Sequence, residues 1–190
     1  RDKYLVGVIS GRSLKDVSAK VDVDGLIYAG NHGLEIRGPD MDFVHPEAAR
    51  LEGTLSQVYE RLRQELAVVP GVIIEHKGLT LSVHYRLTPA EAVGQVEEAV
   101  AAVARPFVEA GTVKATTGKK ILEVRPAVAW DKGKAISRLQ AAYPLASLSV
   151  FFGDDLTDED GFAVVQDAGG VAVFVGPARQ PTSALYRVDS

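Results

Sequence analysis

Short unbroken apolar runs occupy the two ends of this chain, and helical or alternating patterns occupy its middle. Tyr4-Leu5-Val6-Gly7-Val8-Ile9, Leu26-Ile27-Tyr28-Ala29, Leu148-Ser149-Val150-Phe151-Phe152 and Val171-Ala172-Val173-Phe174-Val175 each read as a strand buried on both faces. Each ends in small or polar residues: Ser10-Gly11-Arg12-Ser13, Gly30-Asn31-His32-Gly33, Gly153-Asp154-Asp155 and Gly176. In a parallel α/β sheet such strand ends lie along one edge, where ligands bind. Leu14, Val17 and Val21 give a weak helical period after the first run. Ile136 and Leu139 mark another helix after Trp130-Asp131-Lys132-Gly133-Lys134.

The middle third has a different pattern. Leu51, Leu55, Val58, Leu62 and Leu66 recur on one face of an amphipathic helix. Thr88-Pro89-Ala90-Glu91 reads as a helix start, with threonine as N-cap and proline at the first helical position, and Val93, Val96, Val100 and Val103 continue it. Glu75-His76-Lys77-Gly78 reads as a turn before an alternating strand. In that strand Leu79, Leu81, Val83 and Tyr85 face one way and Thr80, Ser82, His84 and Arg86 the other. In residues 119–125, Leu122 and Val124 oppose Lys119, Ile121, Glu123 and Arg125. Such strands suit a sheet covered by helices on one face only. The expectation is an α/β fold, a doubly wound parallel core of residues 1–38 and 128–190 with an α/β module inserted at 39–127.

Composition narrows the possibilities without naming a function. At 190 residues and 46% hydrophobic content the chain can bury a core, which argues against disorder. A net charge of −4 disfavours non-specific nucleic-acid binding, so no nucleic-acid partner is expected. No apolar stretch approaches a membrane span and no signal peptide is visible, so a cytoplasmic chain with no membrane partner is expected, as a monomer. The absence of cysteine removes thiolate chemistry and zinc–sulfur sites. Because the chain opens at Arg1 almost directly on a strand, it reads as a piece of a longer protein.

The densest chemistry is Gly153-Asp154-Asp155-Leu156-Thr157-Asp158-Glu159-Asp160, which puts five carboxylates into seven positions after a buried strand. So much like charge is unfavourable unless a cation or a helix N-terminus compensates. Oxygen donors alone favour a hard ion, Mg²⁺ above others; an acidic first helical turn, capped by Asp155 or Thr157, accounts for the same residues. Lys132, at a helix start, can present a point charge to a phosphate or a carboxylate, or can be solvated. Ser10-Gly11-Arg12 offers a hydroxyl, an accessible amide and a guanidinium, all suited to phosphate oxygens. His32 in its glycine turn serves either substrate contact or structure. In the middle module Glu75, Lys77, Arg86 and Glu123 suit either sugar hydroxyls or surface charge pairing.

In this order the motifs resemble the haloacid-dehalogenase (HAD) superfamily of phosphotransferases, and within it the trehalose-6-phosphate phosphatases. Carrying the resemblance are Val8-Ile9-Ser10-Gly11-Arg12, Gly30-Asn31-His32-Gly33, Glu75-His76-Lys77-Gly78, Ser82-Val83-His84-Tyr85-Arg86, Leu122-Glu123-Val124-Arg125-Pro126, Asp131-Lys132-Gly133-Lys134 and the acidic segment after Gly153. The resemblance spans nearly the whole chain. It implies a Rossmann-like HAD core with a C2-type cap, and Mg²⁺-dependent hydrolysis of a small sugar phosphate, trehalose 6-phosphate, through an aspartyl-phosphate. It implies that Ser10 and Gly11 hold phosphate, that Lys132 neutralises it, and that Asp154, with Asp155 and Asp158, binds Mg²⁺. Glu75, Lys77, Arg86 and Glu123 would read sugar hydroxyls, with Arg12, Asn31, His32 and Gly33 completing the substrate site. The superfamily's opening Asp-x-Asp strand has no counterpart in these residues. Asp22-Val23-Asp24-Gly25 follows the serine motif and reads as a turn. Two further readings stand beside this one: another sugar-phosphate phosphatase of the superfamily, and a non-catalytic sugar-phosphate-sensing domain.

Overall fold

The computed structural model describes residues 4–144, 148–177 and 180–189. By contact the chain divides into a core unit, Arg1–Phe43 with Trp130–Ser190, and an inserted unit, Val44–Ala129.

In the first half of the core unit, β1 (Gly7–Ile9) and β2 (Ile27–Gly30) run parallel on either side of helix α1 (Leu14–Val21). Ser13 caps α1 through its hydroxyl, which accepts from the Asp16 amide at 3.1 Å. Asp22 ends the helix in the left-handed conformation, so Asp22-Val23-Asp24-Gly25 is a turn. Two strands not foreseen from the pattern follow: β3 (Glu35–Gly38), antiparallel to β2, and β4 (Met41–Val44), next to β3 in the same sheet. Because β4 joins that sheet, the division falls at 43/44, where the apolar pattern put it at 38/39.

The inserted unit is a four-stranded antiparallel sheet with helices on one face. Helices α2 (Pro46–Arg50) and α3 (Glu52–Glu65) lead into the hairpin of β5 (Ile73–His76) and β6 (Leu81–His84). Glu75 and His76 therefore lie on a strand, and only Lys77-Gly78 belongs to the turn expected at 75–78. Helix α4 (Val93–Glu109) precedes the hairpin of β7 (Val113–Gly118) and β8 (Ile121–Pro126), and the strand order is β5-β6-β8-β7. Leu55, Val58 and Leu62 of α3, and Val96, Val100 and Val103 of α4, pack with Leu81, Val83, Leu122 and Val124 into one core. The alternation of period two thus buries the face it marks as apolar. Thr88 is not the cap of α4: Pro89 is extended, a 3₁₀ turn spans Ala90–Ala92, and the buried Thr88 Oγ1 has no hydrogen-bond partner among the described residues. Proline's fixed φ admits an extended ψ as readily as a helical one, so the first turn forms one residue later.

In the second half of the core unit, α5 (Lys132–Ala142), β9 (Val150–Gly153), α6 (Glu159–Asp167), β10 (Val171–Val175) and β11 (Tyr186–Val188) follow in order. Strands β9 and β11 flank β10, both parallel to it. The architecture is thus an α/β core with parallel strands and an inserted α/β unit, as the motifs imply. Among the described residues the core strands fall into two sheets, however: β1 is an edge of the first and β9 an edge of the second. Val6, Val150 and Phe152 are exposed at 51%, 50% and 61%, where burial on both faces was expected. An edge strand without a neighbour leaves such side chains uncovered.

Candidate active site

The ends of β1 and β2 interlock. The Ser10 amide donates to Ala29 O at 2.9 Å, the His32 amide to Ser10 O at 2.9 Å and the Asn31 amide to Arg12 O at 2.6 Å. Asn31, His32 and Gly33 all hold positive φ, at 49°, 59° and 86°. Two consecutive non-glycine residues in that region are uncommon, and the backbone bonds to Ser10 and Arg12 hold them there. The buried Asn31 amide nitrogen donates to Glu35 Oε2 at 2.6 Å. Gly11 is required by contact: a Cβ there would fall 2.8 Å from Cε1 of the His32 ring. The Ser10 hydroxyl accepts from the Arg12 amide at 3.2 Å. The Arg12 guanidinium is exposed and pairs with Asp16 at 2.7 Å.

This turn is joined to α5. A Cβ on Gly33 would lie 2.3 Å from the Ala135 Cβ, so helix and turn meet only because residue 33 has no side chain. Asp131 caps α5, accepting from the Lys134 amide at 2.8 Å, and Lys132 is the first helical residue. The Lys132 ammonium turns inward and donates to Asp158 Oδ1 at 2.6 Å, in a pair almost fully buried.

The acidic segment after β9 distributes its carboxylates among different tasks. Asp158 Oδ2 accepts the amides of Asp154 and Asp155, both at 3.1 Å, while its other oxygen holds Lys132. Asp155 caps the 3₁₀ turn Leu156–Asp158, accepting from the Leu156 amide at 2.7 Å. Glu159 faces away from the loop and accepts from the Ser183 amide and hydroxyl, at 2.7 and 2.6 Å. Asp154 is exposed, and its carboxylate makes no bond to any described residue. Helix capping, one of the two explanations offered for this run, is thus carried by Asp155. The described residues contain no group of three or more potential ligands arranged around one point. Asp154, exposed beside this loop, is a hard oxygen donor suited to Mg²⁺, so the residues present fit the ion in part.

On the polar face of the inserted sheet, Glu75, Ser82, Glu123 and Thr116 stand in one cross-strand row. Glu123 Oε1 accepts from Lys77 Nζ at 3.2 Å and from Ser82 Oγ at 3.4 Å, with the lysine side chain 5% exposed. Glu75 pairs with His84 at 3.2 Å. Arg86 lies in the turn after β6, exposed, and does not join this row. Ser82, Glu35 and His84 are polar neighbours that motif reading did not assign, because their partners lie on other strands or beyond a turn. In the core unit a hollow of about 560 Å³ is lined by Lys15, Asp22, Asp24, Tyr28 and Arg37, and by none of the predicted site residues.

The profile of the trehalose-phosphatase family matches residues 2–190. The chain belongs to the trehalose-phosphatase family. The trehalose-phosphate phosphatase of Mycolicibacterium paratuberculosis is 40% identical, over 97% of this chain and 49% of its own length. The chain thus spans about half the length of the curated relatives it matches. A crystal structure of a trehalose-6-phosphate phosphatase related protein superposes with a TM-score of 0.83 at 24% identity, covering 100% of this chain and 76% of that one. It shows a common fold. The Aspergillus fumigatus trehalose-6-phosphate phosphatase is 27% identical, with a TM-score of 0.59 over 96% of this chain and 72% of its own. Among the described residues of this family member no helix is long and apolar enough to cross a membrane.

Proposed function

We propose that the complete protein hydrolyses trehalose 6-phosphate to trehalose and phosphate, with Mg²⁺ and an aspartyl-phosphate intermediate. The observation that carries this reading is the buried Lys132–Asp158 pair at 2.6 Å, set beside the exposed carboxylate of Asp154. The carboxylate offsets much of the ammonium's charge but fixes Nζ in a water-poor place, where an ammonium, with three N–H donors, can also donate to a phosphoryl oxygen. Family membership over nearly the whole chain adds the substrate class.

The residues divide the work as follows. Ser10 and the Gly11 amide hold phosphate oxygens, and Lys132 compensates their charge while Asp158 fixes its position. Arg12, Asn31, His32 and Gly33 shape the substrate site, and Glu75, Lys77, Arg86 and Glu123 exchange hydrogen bonds with sugar hydroxyls. Asp154, supported by Asp155 and Asp158, would hold Mg²⁺, which when bound neutralises phosphate charge as a Lewis acid. The attacking carboxylate belongs to an Asp-x-Asp strand outside these 190 residues, seated between the open edges of β1 and β9. It forms the new P–O bond as the sugar oxygen leaves with a proton from the second aspartate, which then activates water to break that bond.

The test is phosphate release by the complete protein with Mg²⁺. Trehalose 6-phosphate should be preferred over sucrose and glucosylglycerate phosphates. Preference for one of the latter identifies a different sugar-phosphate phosphatase, and binding without turnover identifies a sensing domain.

A further inference from the structure

Glu159 belongs to the acidic run, yet it touches neither Lys132 nor the loop that Asp158 closes. It takes hold of a different part of the chain. Its Oε2 accepts both the amide and the hydroxyl of Ser183, at 2.7 and 2.6 Å. Seven positions along α6, on the same face, Gln166 does the complementary work. Its Nε2 donates to Ser183 O at 3.1 Å and its Oε1 accepts the Leu185 amide at 2.8 Å. Two side chains of one helix thus satisfy three main-chain groups of the segment at 183–185, the Ser183 amide and carbonyl and the Leu185 amide.

The segment is secured at its other points too. Ala184 packs on the cluster of Phe162, Ala172 and Phe174, and Arg187 stacks over the Phe174 ring at 4.8 Å. The Arg187 guanidinium donates to the carbonyls of Pro177 and Gln180, and β11 follows at once, paired with β10. Glu159 opens α6, and Asp158 precedes it as the last residue of the 3₁₀ turn. Adjacent residues at one helix start therefore pull in different directions: Asp158 toward Lys132 and the loop amides, Glu159 toward the segment at 182–185.

We propose that Glu159 is a positioning residue, latching the segment at 182–185 onto α6 so that the first turn of α6 holds the Asp154–Asp158 loop in the geometry its chemistry uses. The proposal rests on the phosphatase reading only for what that loop does. The coupling between latch and loop stands apart from it. A helix start tied on two sides has little freedom to rotate, and untying one side frees the amides that Asp158 accepts.

The experiment is amide hydrogen exchange on the complete protein, wild type against Glu159→Ala, Gln166→Ala and Ser183→Ala, with Mg²⁺ titration of turnover alongside. Exchange should quicken at Ser183 and Leu185, and also at Asp154 and Asp155. The Mg²⁺ half-saturation of Glu159→Ala should rise roughly 10-fold, the low end of what groups behind a metal ligand contribute, with KM for the sugar phosphate moving less. Glu159→Gln keeps an acceptor for the Ser183 amide and should recover part of both effects. If Glu159→Ala does not fold, Ser183→Ala, which removes one hydroxyl, shows the same pattern in smaller measure. Faster exchange at 183 and 185 with wild-type exchange at 154 and 155 overturns the proposal. Absence of turnover in the wild type overturns the phosphatase reading and leaves the exchange result to decide the latch.

Discussion

Lys132 Nζ and Asp158 Oδ1 stand 2.6 Å apart, each side chain less than a tenth exposed, although 26 positions separate them in the chain. Removing one charge from such a pair strands the other in a poorly solvated place, which costs about 3–5 kcal/mol. Asp158→Asn should therefore lower the unfolding midpoint sharply as well as abolish turnover. Adding Lys132→Met to it should restore much of the stability and none of the activity, giving a coupling energy of about 1 kcal/mol or more. Chemical denaturation of the two single variants and the double variant measures it; additive losses would mean the charges are not paired in solution.

Asp154 invites the opposite result. Its carboxylate is exposed and bonded to no described residue, so Asp154→Asn removes no structural contact. The fold should persist with a change in stability within about 0.5 kcal/mol, as for an ordinary surface position. Mg²⁺-dependent turnover of the complete protein should be lost, since a neutral amide is a poor substitute for an anionic ligand. Thermal unfolding read beside phosphate release tests both halves, and near-normal activity would reduce the acidic run to helix capping.

These two residues also show how far the sequence can be read. Both stand in one run of carboxylates, and composition marks the run without distributing its labour. Asp155 as a cap follows from local spacing. Asp158 as the partner of Lys132 and Glu159 as the partner of Ser183 do not, because each depends on a helix or segment distant in sequence. The inserted unit is more legible: alternation in residues 79–86 assigns Leu81 and Val83 to the core correctly, since a single helix-covered face leaves only one register. The pattern fails at β1 and β9, whose apolar runs match buried strands while the strands themselves are sheet edges. Strands β3 and β4 escape notice because Glu35-Ile36-Arg37-Gly38 and Met41-Asp42-Phe43-Val44 are neither unbroken apolar runs nor long enough to establish an alternation.

In the inserted unit, Lys77, Ser82 and Glu123 form one connected group, with Glu123 Oε1 shared at 3.2 and 3.4 Å. Glu123→Ala and Lys77→Ala should reduce hydrolysis of trehalose 6-phosphate far more than that of a small aryl phosphate, which has no disaccharide to hold. One lost hydrogen bond to a charged group is worth about 1.5–3 kcal/mol, roughly 10- to 150-fold in kcat/KM. Because the pair is buried, both variants should also lose stability, so the comparison is made between substrates on one folded preparation. Equal losses on the two substrates would place these residues in phosphate binding or in the fold.

Glu159 makes stability depend on pH in a definable direction. Partial burial raises its carboxyl, but the hydrogen bonds from the Ser183 hydroxyl and amide and from Thr182 outweigh that and hold it below the ordinary 4.5. A depressed folded-state value means the ionised form is favoured by folding. The contribution is complete above the unfolded value near 4.5 and disappears as pH falls through the lower folded value. Wild type and Glu159→Gln should therefore differ in unfolding midpoint at pH 7 and converge as the pH falls through the lowered folded value. A difference that stays constant across that range would mean the carboxylate is not ionised in its bond to Ser183.

The open edges of β1 and β9 lead to the last test. Val6, Val150 and Phe152 lie on or beside those edges at least half exposed, and exposed apolar edge strands favour association. Residues 1–190 expressed alone should aggregate readily and release no phosphate, because the proposed mechanism needs an attacking Asp-x-Asp carboxylate that these residues do not supply. Mg²⁺ should bind weakly, since the described residues gather no group of three or more potential ligands where a tight site needs several oxygen donors. The complete protein, by contrast, should be a monomer with Mg²⁺-dependent turnover, and its β1 and β9 amides should be protected from hydrogen exchange. Exchange protection and turnover should appear together, because the strand proposed to cover the edges is also the strand proposed to carry the nucleophile. Turnover by a pure, monomeric preparation of residues 1–190 would place the attacking group inside these residues, and the assignment of an outside Asp-x-Asp would be abandoned.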